Sequence, residues 1–123
     1  MEISVFLNNI KQEFLESCNL YHPNQIGNSI TIYKDENEIP ELDGFELAII
    51  GVEEDRNSFN NKGCKDAPNA IRKSLYQLFN HWKDIKIIDL GNIKTGFGIE
   101  DTYFALNKVV MTLMKYRIVP IIL

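Results

Sequence analysis

Cysteine and histidine are scarce in this 123-residue chain, and the scarcity removes several chemistries at once. Cys18 and Cys64 stand 46 positions apart with no C-x-x-C between them, which excludes a disulfide framework and fits two free thiols in a reducing compartment. His22 and His81 are the only histidines, and neither has a second ligand at a spacing that zinc requires. Basic residues are outnumbered, 13 against 17 acidic, for a net charge of −4. They are also scattered, the densest group being Arg72-Lys73, so a nucleic-acid or anionic-membrane partner is not expected. Long apolar runs are missing too. The longest, Ile118 to Leu123, is far too short to cross a bilayer. Met1-Glu-Ile-Ser-Val lacks the basic and apolar regions of a signal peptide, and the expected location is the cytoplasm. No internal repeat or low-complexity tract occurs.

What is present is a chain 45% hydrophobic, long enough for one domain with a real core. Ile3, Leu7, Ile10 and Phe14 recur at helical spacing, which predicts an amphipathic helix from Ser4 to about Ser17. Ser29-Ile-Thr-Ile-Tyr-Lys34 alternates with β-branched residues and predicts a half-buried strand. Residues 1–44 are thus expected to form a helix-and-strand arm that includes an acidic, proline-containing surface loop, Asp35 to Glu41. From residue 45 the pattern changes. Phe45 to Gly51, Ile85 to Leu90 and Ile118 to Leu123 are short, nearly continuous apolar runs, as in strands covered on both faces. Between them lie two helices. The first is capped by Asp66, admits Pro68 in its first turn, and presents Ile71, Leu75, Leu78 and Phe79 on one face. The second starts at Glu100-Asp101-Thr102 with a stripe through Tyr103, Leu106, Val109, Val110, Leu113 and Met114. This β-α-β-α-β order over residues 45–123 predicts an α/β fold, a three-layer, doubly wound parallel sheet. Ligands of such sheets bind beyond the strands' C-terminal ends, here the loops 52–66 and 91–99.

The last strand ends on Ile-Ile-Leu with nothing after it to cover its apolar faces. Pro120 removes a ladder donor, which suits an edge strand. The expectation is a fragment whose missing C-terminal part covers Ile118 to Leu123, or a chain that self-associates there.

No self-contained catalytic set is visible. Glu53-Glu54-Asp55 follows the first apolar strand, where carboxylates hold Mg²⁺ in receiver-like domains. The simpler reading is a solvated loop in which Glu54 or Asp55 pairs with Arg56. Asn57 to Gly63 is rich in turn residues, and Gly63 is expected to take a backbone conformation closed to other residues. Gly96-Phe-Gly98 lacks the third glycine of a dinucleotide loop and does not directly follow its strand. Asp89-Leu-Gly-Asn92 reads as the shaping of a strand exit.

Three segments, in order, resemble the ureohydrolase family of arginases, agmatinases and formimidoylglutamases. They are Ala48-Ile-Ile-Gly-Val-Glu-Glu-Asp-Arg56, Gly63-Cys-Lys-Asp-Ala-Pro-Asn-Ala-Ile-Arg72, and Asp89-Leu-Gly-Asn92 followed by Ile118-Val-Pro-Ile-Ile-Leu123. The first and third lean towards formimidoylglutamase-like members. The resemblance implies the N-terminal part of an arginase-like fold. In that family the segment matching Pro120 to Leu123 runs into Gly-Gly and the first metal-binding histidine. Later Asp-x-His-x-Asp and Asp-x-Asp motifs complete a dinuclear Mn²⁺ centre, whose bridging water attacks a guanidinium or formimidoyl carbon. None of those ligands lies in this chain, so no catalytic or metal residue is assigned here, and Mn²⁺ is expected only of a full-length hydrolase acting on a small molecule. The resemblance carries over scaffolding: Gly63 for the loop, Pro68 for the helix start, Ile71 for packing, and Arg72 tying helix to loop. Arg56 and Asn60 become candidate substrate contacts; the simpler alternative has Arg56 paired with Asp55 or Glu53 and Asn60 making a turn. A non-catalytic, self-associating interaction module and a receiver-like Mg²⁺ domain are the rival readings.

Overall fold

The computed structural model describes residues 2–123. A 3₁₀ turn, Ile3–Phe6, leads into β1 (Leu7–Asn8), then α1 (Gln12–Ser17), α2 (Ile26–Ser29) and β2 (Thr31–Ile32). After the loop come β3 (Leu47–Val52), a 3₁₀ turn Cys64–Asp66, α3 (Ala67–Leu75), β4 (Ile87–Ile93), α4 (Ile99–Lys115) and β5 (Val119–Ile122). The fold is mixed α/β with a mostly parallel five-stranded sheet. β4 and β3 lie at its centre and β5 forms one edge, next to β3. On the other side of β4, β2 pairs parallel with its first half and β1 antiparallel with its end. The chain steps from β3 to β4 and then back to the far side of β3, so the winding reverses between β3 and β5, as in a doubly wound sheet.

The single long helix expected over residues 4–17 is not formed. Ile3, Leu7 and Ile10 are buried as their spacing requires, but the segment is broken into turn, strand and short helix because β1 completes the ladder on β4. Lys94 N donates to Phe6 O at 2.8 Å, and Ile10 N to Tyr33 O at 2.9 Å. The strand expected over 29–34 shrinks to two residues, since Ile26–Ser29 turn helical first. The arm shares the core of the rest: Ile3, Leu7, Tyr33 and Leu42 pack with Ala48, Ile50, Ile88, Leu90, Val109 and Leu113.

Strand alternation gives the sheet two different faces. Ala48, Ile50, Ile88, Leu90 and Ile93 meet α4 through Ala105, Val109 and Leu113. The opposite face carries Asp89 and Asn92 and receives Arg72 and Tyr76 from the α3 side. Two helix readings change accordingly. The buried positions of α3 are Pro68 and Arg72, while Ile71 is 44% exposed and Leu78 and Phe79 lie beyond the helix end. The buried positions of α4 are Thr102, Ala105, Val109 and Leu113, while Tyr103 and Met114 face out. Small residues at 102 and 105 let the helix approach the sheet, which bulky Tyr103 would prevent. Asp66 has helical backbone and makes no side-chain cap bond. The start of α4 is instead fixed by Asp101, whose carboxylate accepts from Gly98 N at 3.0 Å.

Asp89-Leu-Gly-Asn92 lies inside β4 rather than at its exit. Ile49 is opposite Asp89 and Gly51 opposite Asn92, so β4 holds one extra residue, a bulge. Gly91 carries it at φ 79°, and a Cβ there would stand 2.1 Å from Asn8 O. Only glycine allows that turn and lets β1 come so close. Pro120 sits in the edge strand β5 as its missing donor predicts, opposite Ala48.

Candidate functional site

Two polar assemblies lie towards the C-terminal ends of the parallel strands. The first has a fully buried centre. Arg72 and Asp89 pair with both side chains at 0% exposure. Arg72 Nε donates to Asp89 Oδ2 at 2.8 Å and Nη2 to Oδ1 at 3.0 Å. The remaining donors go to Gly91 O (2.8 Å), Asn92 Oδ1 (2.6 Å) and Asn69 Oδ1 (3.2 Å). Asp89 also accepts from Tyr76 Oη at 2.5 Å and Gly91 N at 2.9 Å. Burial, and then the charge of Asp89, push the Tyr76 hydroxyl far above its ordinary range, so it stays a donor. Arg72 therefore ties α3 to strand β4 and its bulge, not to a loop as the sequence suggested. With every lone pair and proton matched, the ion pair fixes the position of α3 on the sheet.

The second assembly joins the loop after β3 to the loop after β4. Arg56 Nε donates to Glu54 Oε2 at 2.8 Å, and its Nη2 closes on Glu54 Oε1. Nη1 reaches Phe97 O at 2.7 Å and Nη2 reaches Thr102 Oγ1 at 3.3 Å. Thr102 Oγ1 donates to Glu54 Oε1 at 2.9 Å and accepts from Gly96 N at 2.9 Å. The Arg56 bonds, led by the guanidinium, lower Glu54 from an ordinary value of 4.5 to about 2. Thr102 was not singled out from the sequence; a hydroxyl on the buried stripe of α4 was its only signal.

The predicted contacts thus fall differently. Arg56 is at the mouth of the strand ends and pairs with Glu54, one of the two partners the solvated-loop reading offered, and not with Asp55 or Glu53. Asn60 is exposed at φ 54°, a left-handed turn position. Gly63 stands at φ 99° and its N–H donates to Asp55 Oδ2 at 2.7 Å. Glu53, Glu54 and Asp55 do not converge: Glu54 faces Arg56, Asp55 closes the turn at Gly63, and this removes the basis of the receiver-like Mg²⁺ reading. Among the described residues no group of three or more His, Cys, Asp or Glu is placed to hold a metal ion.

His22 is occupied structurally, its Nδ1 accepting from Asn24 N at 3.0 Å and its ring lying 4.8 Å from Phe79. Cys18 is buried, and burial raises its thiol pKa, which makes it a poor nucleophile. No helix among the described residues is long and apolar enough to cross a membrane.

The family model described as arginase family matches residues 45–123, from just before β3 through β5. No curated protein and no solved structure matches the chain.

Proposed function

This chain belongs to the arginase family, and from that premise we propose that it is the N-terminal scaffold of a metallohydrolase that cleaves a linear C–N bond. The substrate class is formimidoylglutamate or a related guanidino compound, and the metal is Mn²⁺. The observation that carries the reading is the family match across the whole β3-α3-β4-α4-β5 unit, with its loops gathered at the strand ends where such sheets bind ligands.

The residues of this chain do not themselves fit a dinuclear Mn²⁺ centre. Its nearest carboxylates, Glu54 and Asp55, are committed to Arg56 and Gly63, and no donor set converges among the described residues. The proposed contribution of the chain is placement. The Arg72–Asp89 pair sets α3 on β4, and the Glu54–Arg56–Thr102 clasp holds two strand-end loops together. On this proposal the metal ligands are not among these residues.

The direct test is the coding sequence past Leu123, where Gly-Gly-x-His and later Asp-x-His-x-Asp and Asp-x-Asp motifs are expected. The longer product should then release formamide, ammonia or urea from such substrates in a Mn²⁺-dependent manner. A product with those motifs that binds no Mn²⁺ and releases none of the three overturns the proposal.

One observation favours a second reading, a self-associating module. β5 exposes Val119 (58%), Ile121 (41%) and Ile122 (50%) along an edge paired on one side only. Sedimentation of the 123-residue chain distinguishes the two: a concentration-dependent dimer supports association at this edge, and a monomer counts against it.

A further inference from the structure

A cleft of about 300 Å³ opens on the α3 face of the sheet, between the start of α1, the first turn of α3 and the ends of β3 and β4. Asn69 and Asn92 line it, with Lys11, Glu53, Ile10 and Phe14. The two asparagines are oriented by a residue beneath them. Arg72 Nη1 donates to both Oδ1 atoms. A guanidinium has no acceptor, so each carboxamide must turn its oxygen towards Arg72 and its NH₂ away. Neither NH₂ group meets an acceptor among the described residues, and no partnerless side-chain nitrogen is sealed from solvent. Lys11 is held too, its ammonium donating to Asn9 Oδ1 at 2.9 Å while Asn9 Nδ2 is anchored on Lys34 O at 2.7 Å.

We propose that this cleft binds a small aliphatic monocarboxylate, its oxygens meeting the carboxamide NH₂ groups of Asn69 and Asn92 and the ammonium of Lys11. The donors are in place before binding, so the ligand does not have to order them. Phe14, half-buried, supplies most of the apolar wall that an alkyl chain covers, with Ile10 behind it. Glu53, whose carboxylate has no hydrogen-bond partner among the described residues, repels a second negative charge and so selects against dicarboxylates. The cleft is at the lower end of small-ligand pocket volumes, which fits an anion of this size and not a nucleotide.

The inference does not depend on the hydrolase reading. Its test follows the side-chain NH₂ resonances of Asn69 and Asn92 in ¹⁵N-labelled full chain, with sodium butyrate, sodium succinate and sodium chloride at matched ionic strength. Butyrate is expected to give saturable shifts at both side chains, succinate to bind about tenfold more weakly, and chloride to give no saturation. Lys11→Gln and Asn69→Ala should each weaken butyrate about tenfold, and Glu53→Gln should bring succinate close to butyrate. Lys11 is exposed and the half-buried Glu53 makes no side-chain hydrogen bond among the described residues, so those variants keep the backbone spectrum and remain informative if N69A does not fold. Shifts that are linear in salt, or saturable shifts unchanged in both Lys11→Gln and Glu53→Gln, overturn the proposal.

Discussion

At the scale of single residues, the chain commits one arginine to its interior and one to its rim. Inside, Asp89→Asn leaves the Arg72 charge buried without a counter-ion, and the expected loss is about 3–5 kcal/mol, read from urea unfolding. Tyr76→Phe removes one hydrogen bond to that carboxylate and should cost roughly 1.5–3 kcal/mol; equal losses from the two variants would show that the charge pair is not the main element. At the rim, Glu54 has a folded pKa depressed from 4.5 to about 2. Its contribution is therefore complete above the ordinary value and disappears as pH falls through the folded one. The Arg56 amide and Nε–H resonances should move with a midpoint near 2, and that transition should vanish in Glu54→Gln. A midpoint near 4.5 would mean that the clasp is open in solution. The buried pair left a trace in the sequence that polarity alone concealed: one aspartate inside Ile87-Ile-Asp-Leu, and one arginine on the helix that precedes that strand. A charge in a run that must be buried needs a partner, and Arg72 was the one within reach. For Arg56 the sequence offered Glu54 among its neighbours without choosing it, because three adjacent carboxylates look alike until the loop has a shape.

At the scale of elements, the three apolar strands and the two helices between them were legible, since their periods and lengths leave few alternatives. The first 17 residues were not. Ile3, Leu7 and Ile10 satisfy a helical pattern, yet two short elements bury the same three side chains, and pairing with β4 decided between them. That pairing depends on the bulge at Gly91. Gly91→Ala meets both a left-handed φ and a backbone oxygen 2.1 Å from the new Cβ. It should therefore lower stability by about 1–3 kcal/mol and release β1, seen as faster hydrogen exchange at Lys94, whose N–H bonds Phe6 O. Unchanged exchange there would show that β1 does not need the bulge.

At the scale of the whole molecule, the sequence foresaw a mostly parallel sheet with loops at its strand ends and an exposed last strand, but not that the first 44 residues would share its core. Sheet order is a long-range property, and nothing local in Leu7-Asn8 announces a partner in β4. The exposed rim carries a further expectation. Val119 and Ile121 lie on one face of β5 and Ile122 on the other, so a hydrophobic dye should bind the native chain. Val119→Lys combined with Ile121→Lys should reduce that binding with little change in unfolding midpoint, and a native chain that binds no dye would contradict it.

The same strand also limits what can join it. Val119 N donates to Glu46 O at 2.9 Å and Leu123 N to Ile50 O at 2.8 Å, both inwards to β3 and its approach. Alternation turns residues 120 and 122 the other way, and Pro120 has no N–H to offer. An incoming strand therefore finds a single outward donor within β5, at Ile122. Two acceptors, the carbonyls of Pro120 and Ile122, point outwards beside that donor, so a strand added here meets a ladder with one rung missing at Pro120 and is held mainly through its own N–H groups.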